Sequence, residues 1–401
     1  MKKTWPKECR NCPVCGRSDK KLLFTQRFSA MSSGAILDGY DVVVCEQCGF
    51  CFADNLPDQL AFDEYYREMS KYEHRDRGGQ QTESDTRRYP VTARFIRNFV
   101  LDHKARILDI GCATGGLLYE FKKNGYGNLM GLDPSPVCAV IAKELYGVPV
   151  MTGALSEMSD GIGPFDLIIL CAVLEHISHL RALMQQIRNL LSGEGVVYVE
   201  VPDVTKFPDS CDTAFQEFSV EHINFFSPIS LVNLLKACGF EQVSLQQTVV
   251  EQSAGRITHD IKAVFKKGEV APPSSLFRDM ESRPALSAYI ACSEEVERRI
   301  LSIVNAWVDS GKPIIVWGAG THTQRLLATS SLAKANILFF VDSNPTYQSK
   351  QLNGIPIIAP SDVKDKSEPI LISSRDFQQE IIKVIRDELH CDNDLILLYE
   401  L

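Results

Sequence analysis

The chain has 401 residues, 45% hydrophobic and 23% charged, long enough for two or three domains that each bury a core. A net charge of −9 excludes a general nucleic-acid binder, whose basic surface must displace counterions from phosphates. No apolar run approaches the ~20 residues that cross a bilayer, and the opening Met1-Lys2-Lys3-Thr4-Trp5-Pro6 lacks the apolar centre of a signal peptide. The expectation is a cytoplasmic protein with no membrane partner.

In that compartment the thirteen cysteines point to metal ligands and buried thiols rather than disulfides. Cys9, Cys12, Cys15, Cys45, Cys48 and Cys51 crowd the N-terminal part. Two pairs share one form, Cys12-Pro13-Val14-Cys15-Gly16 and Cys45-Glu46-Gln47-Cys48-Gly49, each a tight turn that aims two thiolates at one point. The 29 intervening residues allow a small β unit, with Asp41-Val42-Val43-Val44 as the strand entering the second turn. Four thiolates in tetrahedral array suit a closed structural Zn²⁺ site, so Cys12, Cys15, Cys45 and Cys48 are the candidate ligands. Cys9 and Cys51 extend the same spacing, and a buried or spare thiol is the preferred reading of both.

From about residue 60 to 100 the chain turns aromatic and charged. Tyr65 and Tyr66 suit packing between domains, while Tyr72, beside Gly78-Gly79, is a candidate substrate contact. The run Glu83 to Asp102 predicts a helix.

The pattern Ile107-Leu108-Asp109-Ile110-Gly111-Cys112-Ala113-Thr114-Gly115-Gly116 then reads as a buried parallel strand breaking through a glycine turn into a helix. Asn128-Leu129-Met130-Gly131-Leu132-Asp133 places a second acid 24 residues after Asp109, one strand–helix–strand unit away, at a strand tip suited to a ribose diol. This resembles the cofactor motif of the class I S-adenosylmethionine (SAM) methyltransferases and differs from a dinucleotide fingerprint, since Cys112-Ala113-Thr114 widens the turn. The resemblance implies that Asp109, Gly111, Cys112 and Gly115 line the methionine and ribose moieties, that Asp133 takes the ribose hydroxyls, and that Ala154 and Leu155 cover the adenine.

Downstream, a helix from Pro136 to Tyr146, a strand at Val148–Met151, and strands at Phe165–Leu170 and Gly195–Pro202 complete an α/β core running from about Ala105 to Lys267. Glu175-His176 follows the fourth strand of that core and reads first as structural. The loop Gln216-Glu217-Phe218-Ser219-Val220-Glu221-His222-Ile223-Asn224-Phe225-Phe226 sits ahead of a helix with Ser227 as cap and Pro228 as first residue. Its adjacent acid and imidazole, Glu221 and His222, form a plausible acid–base pair. A Pro- and Ser-containing linker near 266–275 precedes a long helix to about Asp309. Pro313–Gly320 repeats the strand and glycine turn, and Asp342 tips a further strand 22 residues beyond Gly320. Gly318 and Gly320 open a helix N-terminus suited to a diphosphate, with a scaffolding role as the alternative.

Taken together, the cysteine knuckles, the SAM core, the Glu-His-x-x-Phe-Phe-Ser loop and the last nucleotide-fold segment resemble the three-part sugar C-methyltransferases. The resemblance implies a zinc-binding domain at 1–70, a class I methyltransferase domain at 71–267 and a Rossmann-like domain at 268–401 that binds the nucleotide of an NDP-sugar. It implies methyl transfer from SAM to a carbon alpha to the ketone of a keto-deoxysugar, with His222 as general base and Glu221 beside it. The family's tyrosine three residues before that histidine is replaced here by Ser219, which keeps O-methylation of a sugar hydroxyl as the alternative.

Overall fold

The computed structural model describes residues 5–29, 31–32, 36–69, 81–157, 162–251 and 257–400. Its described strands form three sheets. The central one has seven strands, ordered Phe240–Glu251, Ile257–Lys267, Leu191–Pro202, Phe165–Cys171, Arg106–Ile110, Asn128–Asp133 and Val150–Thr152. The last five of these run parallel, while Ile257–Lys267 is antiparallel to both of its neighbours. Chain order reverses between Arg106–Ile110 and Phe165–Cys171, so a crevice opens at the carboxyl ends of those two strands. This is the class I methyltransferase α/β fold expected from the glycine turn.

Local chemistry sets the element ends. The helix Glu83–Arg97 starts in a capping box made by Thr82 and Asp85. It stops short of the expected Asp102, because the Asp102 carboxylate accepts the Lys104 backbone N–H at 2.9 Å and its carbonyl takes that of Ala105 at 3.0 Å, a side-chain turn that competes with helix. Ser227 and Pro228 begin the helix Pro228–Ala237 as expected, Ser227 Oγ accepting from the Ser230 N–H. No helix among the described residues is long and apolar enough to cross a membrane.

The N-terminal sheet contains a pairing that the local pattern did not announce. Its strands are Lys20–Arg27, Gly39–Cys45, Cys51–Asp54 and then Asn224–Phe225, with Cys51 opposite Phe225. A piece of the loop after His222 therefore completes this sheet. The same loop drives Phe207, Phe215, Phe218 and Phe225 into a core shared with Tyr40 of that sheet and Tyr289 of the long helix Ser282–Ser310. Each buried aromatic contributes roughly 1.5–3 kcal/mol, which holds a long polar-looking connection in one conformation. Gln26, wholly buried, donates to the Phe218 carbonyl at 2.8 Å and accepts from Arg325 Nε at 3.0 Å, tying the loop to the third unit. That unit is a six-stranded sheet ordered Gln351–Leu352, Ile355–Ile358, Asn336–Val341, Pro313–Trp317, Ile370–Ile372 and Leu395–Leu397, parallel except for its first strand.

Asp279 joins three of these pieces. Its N–H donates to the Cys48 carbonyl at 2.8 Å, its carboxylate accepts the Ser227 hydroxyl at 2.6 Å, and it also takes the Glu281 and Ser282 N–H groups and the Ser282 hydroxyl. Gly49 packs so closely that an added Cβ would lie 2.0 Å from the Asp279 carbonyl oxygen, and its φ of +81° already favours glycine. Replacing Asp279 by alanine leaves several buried donors unmet, so urea denaturation is expected to show a loss of about 3 kcal/mol or more. An unshifted transition would contradict the joint.

Candidate functional site

The two cysteine turns meet. The Sγ atoms of Cys12, Cys15, Cys45 and Cys48 all lie within 4.8 Å of one another, with Cys12–Cys48 and Cys15–Cys45 at 3.5 Å. A disulfide needs about 2.05 Å, whereas ligands about 2.3 Å from a tetrahedral Zn²⁺ sit roughly 3.8 Å apart, so the cluster is compatible with a zinc site. Gly16 and Gly49 N–H groups donate back to the Cys12 and Cys45 carbonyls at 2.8 and 3.0 Å, closing each knuckle. Cys9 is exposed and donates to Asn55 Oδ1 at 3.3 Å, while Cys51 is buried in the shared core.

The glycine turn stands at the crevice. Gly111 has φ +71°, and an added Cβ would come within 2.8 Å of Val173 Cγ2. Gly115 caps the helix Gly116–Lys123. Asp133 holds the turn together: Oδ2 accepts the Ala113 N–H at 2.8 Å and Oδ1 that of Ser135 at 2.9 Å. A carboxylate has about four acceptor positions, so these bonds leave a diol-accepting role compatible with the geometry. Asp109 is buried, and burial first, then the charge of Asp133, push its carboxyl well above the usual range. Cys112 turns its thiol toward the next strand, where a Cβ on Gly131 would lie 2.5 Å from Sγ, and the thiol also donates to the Ala113 carbonyl at 3.6 Å. Gly153 donates to the Asp133 carbonyl at 3.0 Å, which brings the Ala154-Leu155 loop alongside, with the Ala154 N–H on Glu157 Oε2 at 2.9 Å.

Past Ala172 a cavity of about 360 Å³ opens, lined among others by Glu175, His176, Glu200, His222, Asp260 and Asp376. His222 reaches it because Ser219 Oγ accepts both the Glu221 and His222 N–H groups, at 3.2 and 3.1 Å. The residue standing where a tyrosine was expected thus fixes the loop's backbone. The loop docks on the segment after the fourth core strand: Ile223 N–H donates to the Glu175 carbonyl at 2.8 Å, and Asn224 Nδ2 donates to the Leu174 and Ile177 carbonyls at 2.8 and 2.7 Å. The His176 and His222 rings stand 5.0 Å apart at 71°. His176 Nδ1 is 3.0 Å from both the Tyr66 hydroxyl and the Glu221 carbonyl oxygen. The Glu221 carboxylate accepts the Tyr65 hydroxyl at 3.2 Å, and Glu221 is not part of the cavity lining. Tyr65 and Tyr66 pack against the shared core, and Tyr72 lies outside the described residues.

Local reading overlooked the far wall. Arg88, Glu200 and Asp260 come from a helix and two strands distant in sequence. A signal was present, since an acid at position 200 interrupts an otherwise apolar strand.

In the third unit Asp342 repeats the Asp133 arrangement, accepting the Ala319 N–H at 2.8 Å and the Asn344 N–H at 2.9 Å. Gly318 has φ +106°, and no atom lies within 4 Å of a Cβ built on Gly320. His322 turns inward between Ser373 Oγ at 3.1 Å and the Tyr399 hydroxyl at 2.8 Å, and burial lowers it to about 4. Asp376, on the loop after Ile370–Ile372, lines the cavity and accepts from Gln216 Nε2 at 2.9 Å, so this unit supplies part of the cavity wall.

A family model described as methyltransferase domain matches residues 84–245, and one described as C2185-like, N-terminal matches residues 310–397. The ubiquinone biosynthesis O-methyltransferase of Azorhizobium caulinodans is 25% identical over 191 residues, 41% of this chain and 75% of that protein. Among solved structures, the 1,6-didemethyltoxoflavin-N1-methyltransferase of Burkholderia thailandensis is 19% identical, with 56% of this chain and 97% of that one covered at a TM-score of 0.42. A SAM-dependent methyltransferase from Methanosarcina mazei is 18% identical, with 44% and 97% covered at a TM-score of 0.38.

Proposed function

We propose that this enzyme, a SAM-dependent methyltransferase, places the methyl group on a carbon alpha to the ketone of a nucleotide-linked keto-deoxysugar. The observation that carries the reading is His222 on the wall of a cavity also lined by Ala172, the chain neighbour of the Val173 that packs against the glycine turn. The turn suits SAM, whose ammonium and sulfonium are both positive, because Asp109 and Asp133 are two buried carboxyl groups, and burial with the charge of Asp133 makes Asp109 costly to ionise without a cation. Asp109, the backbone of Gly111, Cys112 and Gly115, Asp133, and the Ala154-Leu155 loop would hold it. When bound, it supplies an electrophilic methyl on sulfur.

A hydrogen beside a ketone is acidic enough for a tuned imidazole to remove. His222 takes that proton, and the resulting enolate carbon is the nucleophile for the methyl. Glu221 fixes the approach of the loop through Tyr65 and its carbonyl beside His176. The backbone at Gly318 and Gly320 would bind the diphosphate, and the presence of Asp376 in the cavity wall supports a substrate that spans both units. Cys12, Cys15, Cys45 and Cys48 would hold a structural Zn²⁺, four thiolates leaving no open position for chemistry. The reading divides the chain at 1–70, 71–267 and 268–401 and places the enzyme in the cytoplasm.

O-methylation of a sugar hydroxyl is the second reading, favoured by the O-methyltransferase activity for which the Azorhizobium relative is named. Incubation with methyl-labelled SAM and a panel of NDP-4-keto-6-deoxysugars and NDP-sugars, read by NMR, separates the two. A methyl on carbon, with exchange of the neighbouring proton in deuterated water, is expected. A methyl on oxygen without exchange transfers the assignment to the second reading.

A further inference from the structure

The cavity that His222 lines also carries two neighbouring acids that are served very unequally. Glu200 sits two residues from Tyr198 on the same face of its strand, opposite Lys262. It accepts from the Tyr198 hydroxyl at 2.5 Å, from Arg88 Nη1 at 3.4 Å and from Thr92 Oγ1 at 3.5 Å, with Lys262 Nζ at 3.8 Å. Asp260, opposite Pro202 and on the same face as Lys262, lines the same cavity and is buried. No hydrogen-bond donor reaches its carboxyl among the described residues. The charge of one carboxyl in a low-dielectric wall opposes ionisation of its neighbour, and Asp260 is the one without donors of its own.

We propose that Asp260 stands in the cavity as a neutral carboxylic acid and donates a hydrogen bond to the substrate's ketone oxygen, in the same cavity that the base His222 lines. The assignment rests on the ketone reading above. As His222 takes the proton from carbon, negative charge moves to the ketone oxygen, and the Asp260 proton shifts toward it. When the new carbon–carbon bond closes and the sulfur–methyl bond breaks, the carbonyl re-forms and that proton returns to Asp260. The proton on His222 is the one released. A neutral donor suits this step because an ionised Asp260 would repel the oxygen as its charge grows.

The surroundings agree. Burial first, then the charge of Glu200, push the Asp260 carboxyl up to about 7, with Glu217 adding to the rise and Arg88 and Lys262 opposing it; Cys171 also faces the pair. Activity is therefore expected to fall as pH rises through about 7 and the acid is lost.

The test uses the full chain as purified. Infrared spectra of wild type should show a protonated-carboxyl band that fades as pH rises through about 7 and is missing from Asp260→Asn. Asp260→Ala should lower kcat by ~10²–10³-fold with SAM affinity unchanged, and should slow exchange of the substrate's alpha proton in deuterated water with S-adenosylhomocysteine bound. Asp260→Asn, which keeps a donor of the same shape, should recover part of the rate and lose the alkaline fall. Unchanged exchange and an unchanged alkaline limb in both variants, while wild type makes the C-methyl product, would overturn the role of Asp260 alone. An O-methyl product from wild type, with no alpha-proton exchange, overturns the ketone reading and this donation with it, and the infrared band then reports Asp260 only as a wall acid.

Discussion

Turnover of the His222→Ala enzyme is expected to drop by ~10²–10⁴-fold, the usual cost of removing a general base, with SAM affinity held. His222 lines the cavity, outside the hydrophobic clusters, and the turn that presents it is made by Ser219 Oγ and two backbone N–H groups. The variant should therefore fold and bind cofactor normally. The neighbouring His176 provides an internal control. Its ring is only 5.0 Å from that of His222, yet its Nδ1 is engaged by the Tyr66 hydroxyl and the Glu221 carbonyl oxygen. His176→Ala should act through the position of the loop, and so raise KM more than it lowers kcat. Steady-state rates on the acceptor substrate, with calorimetric titration of SAM, decide the matter. Near-normal turnover in His222→Ala would remove the base from the scheme.

The second large effect is expected at the cysteine cluster. In small zinc modules the apparent binding energy of a structural Zn²⁺ is ~10–16 kcal/mol, which equals or exceeds the 5–15 kcal/mol net stability of a typical domain. Cys45→Ser is thus expected to lose bound metal and to unfold the N-terminal sheet, as is prolonged chelation. Cys9→Ser should keep both metal and stability, because Cys9 is exposed and outside the cluster. Elemental analysis of the purified protein, together with thermal melts, makes the comparison. A Cys45→Ser chain with unchanged metal content and melting temperature would rule the zinc assignment out.

What the sequence disclosed is what local rules govern. The strand before Gly111, the acid at Asp133 and the cap at Ser227 follow from residue types a few positions apart, and the structure has each in place. The knuckle cysteines come together because each pair is already aimed by its own turn. The cavity wall was a different matter. Asp260 faces Pro202, and Glu200 meets Thr92 and Lys262, through pairings that span more than fifty residues. No local period encodes such neighbours. The strand Asn224–Phe225 was hidden for the same reason: two residues carry no alternation, and the edge of the N-terminal sheet alone makes them a strand.

That short strand bears on how such an enzyme can be altered or inherited. Phe225 pairs with Cys51, only three residues from His222 on one side and three from Cys48 on the other. The proposed base and the candidate metal ligands thus lie along one sheet edge. A chimera that imported a foreign N-terminal segment would present a mismatched edge to the 204–226 loop unless that loop travelled with it. New substrate preferences in this architecture should accordingly arise by joint replacement of the two segments, and a library that shuffles them separately should yield mostly misfolded chains.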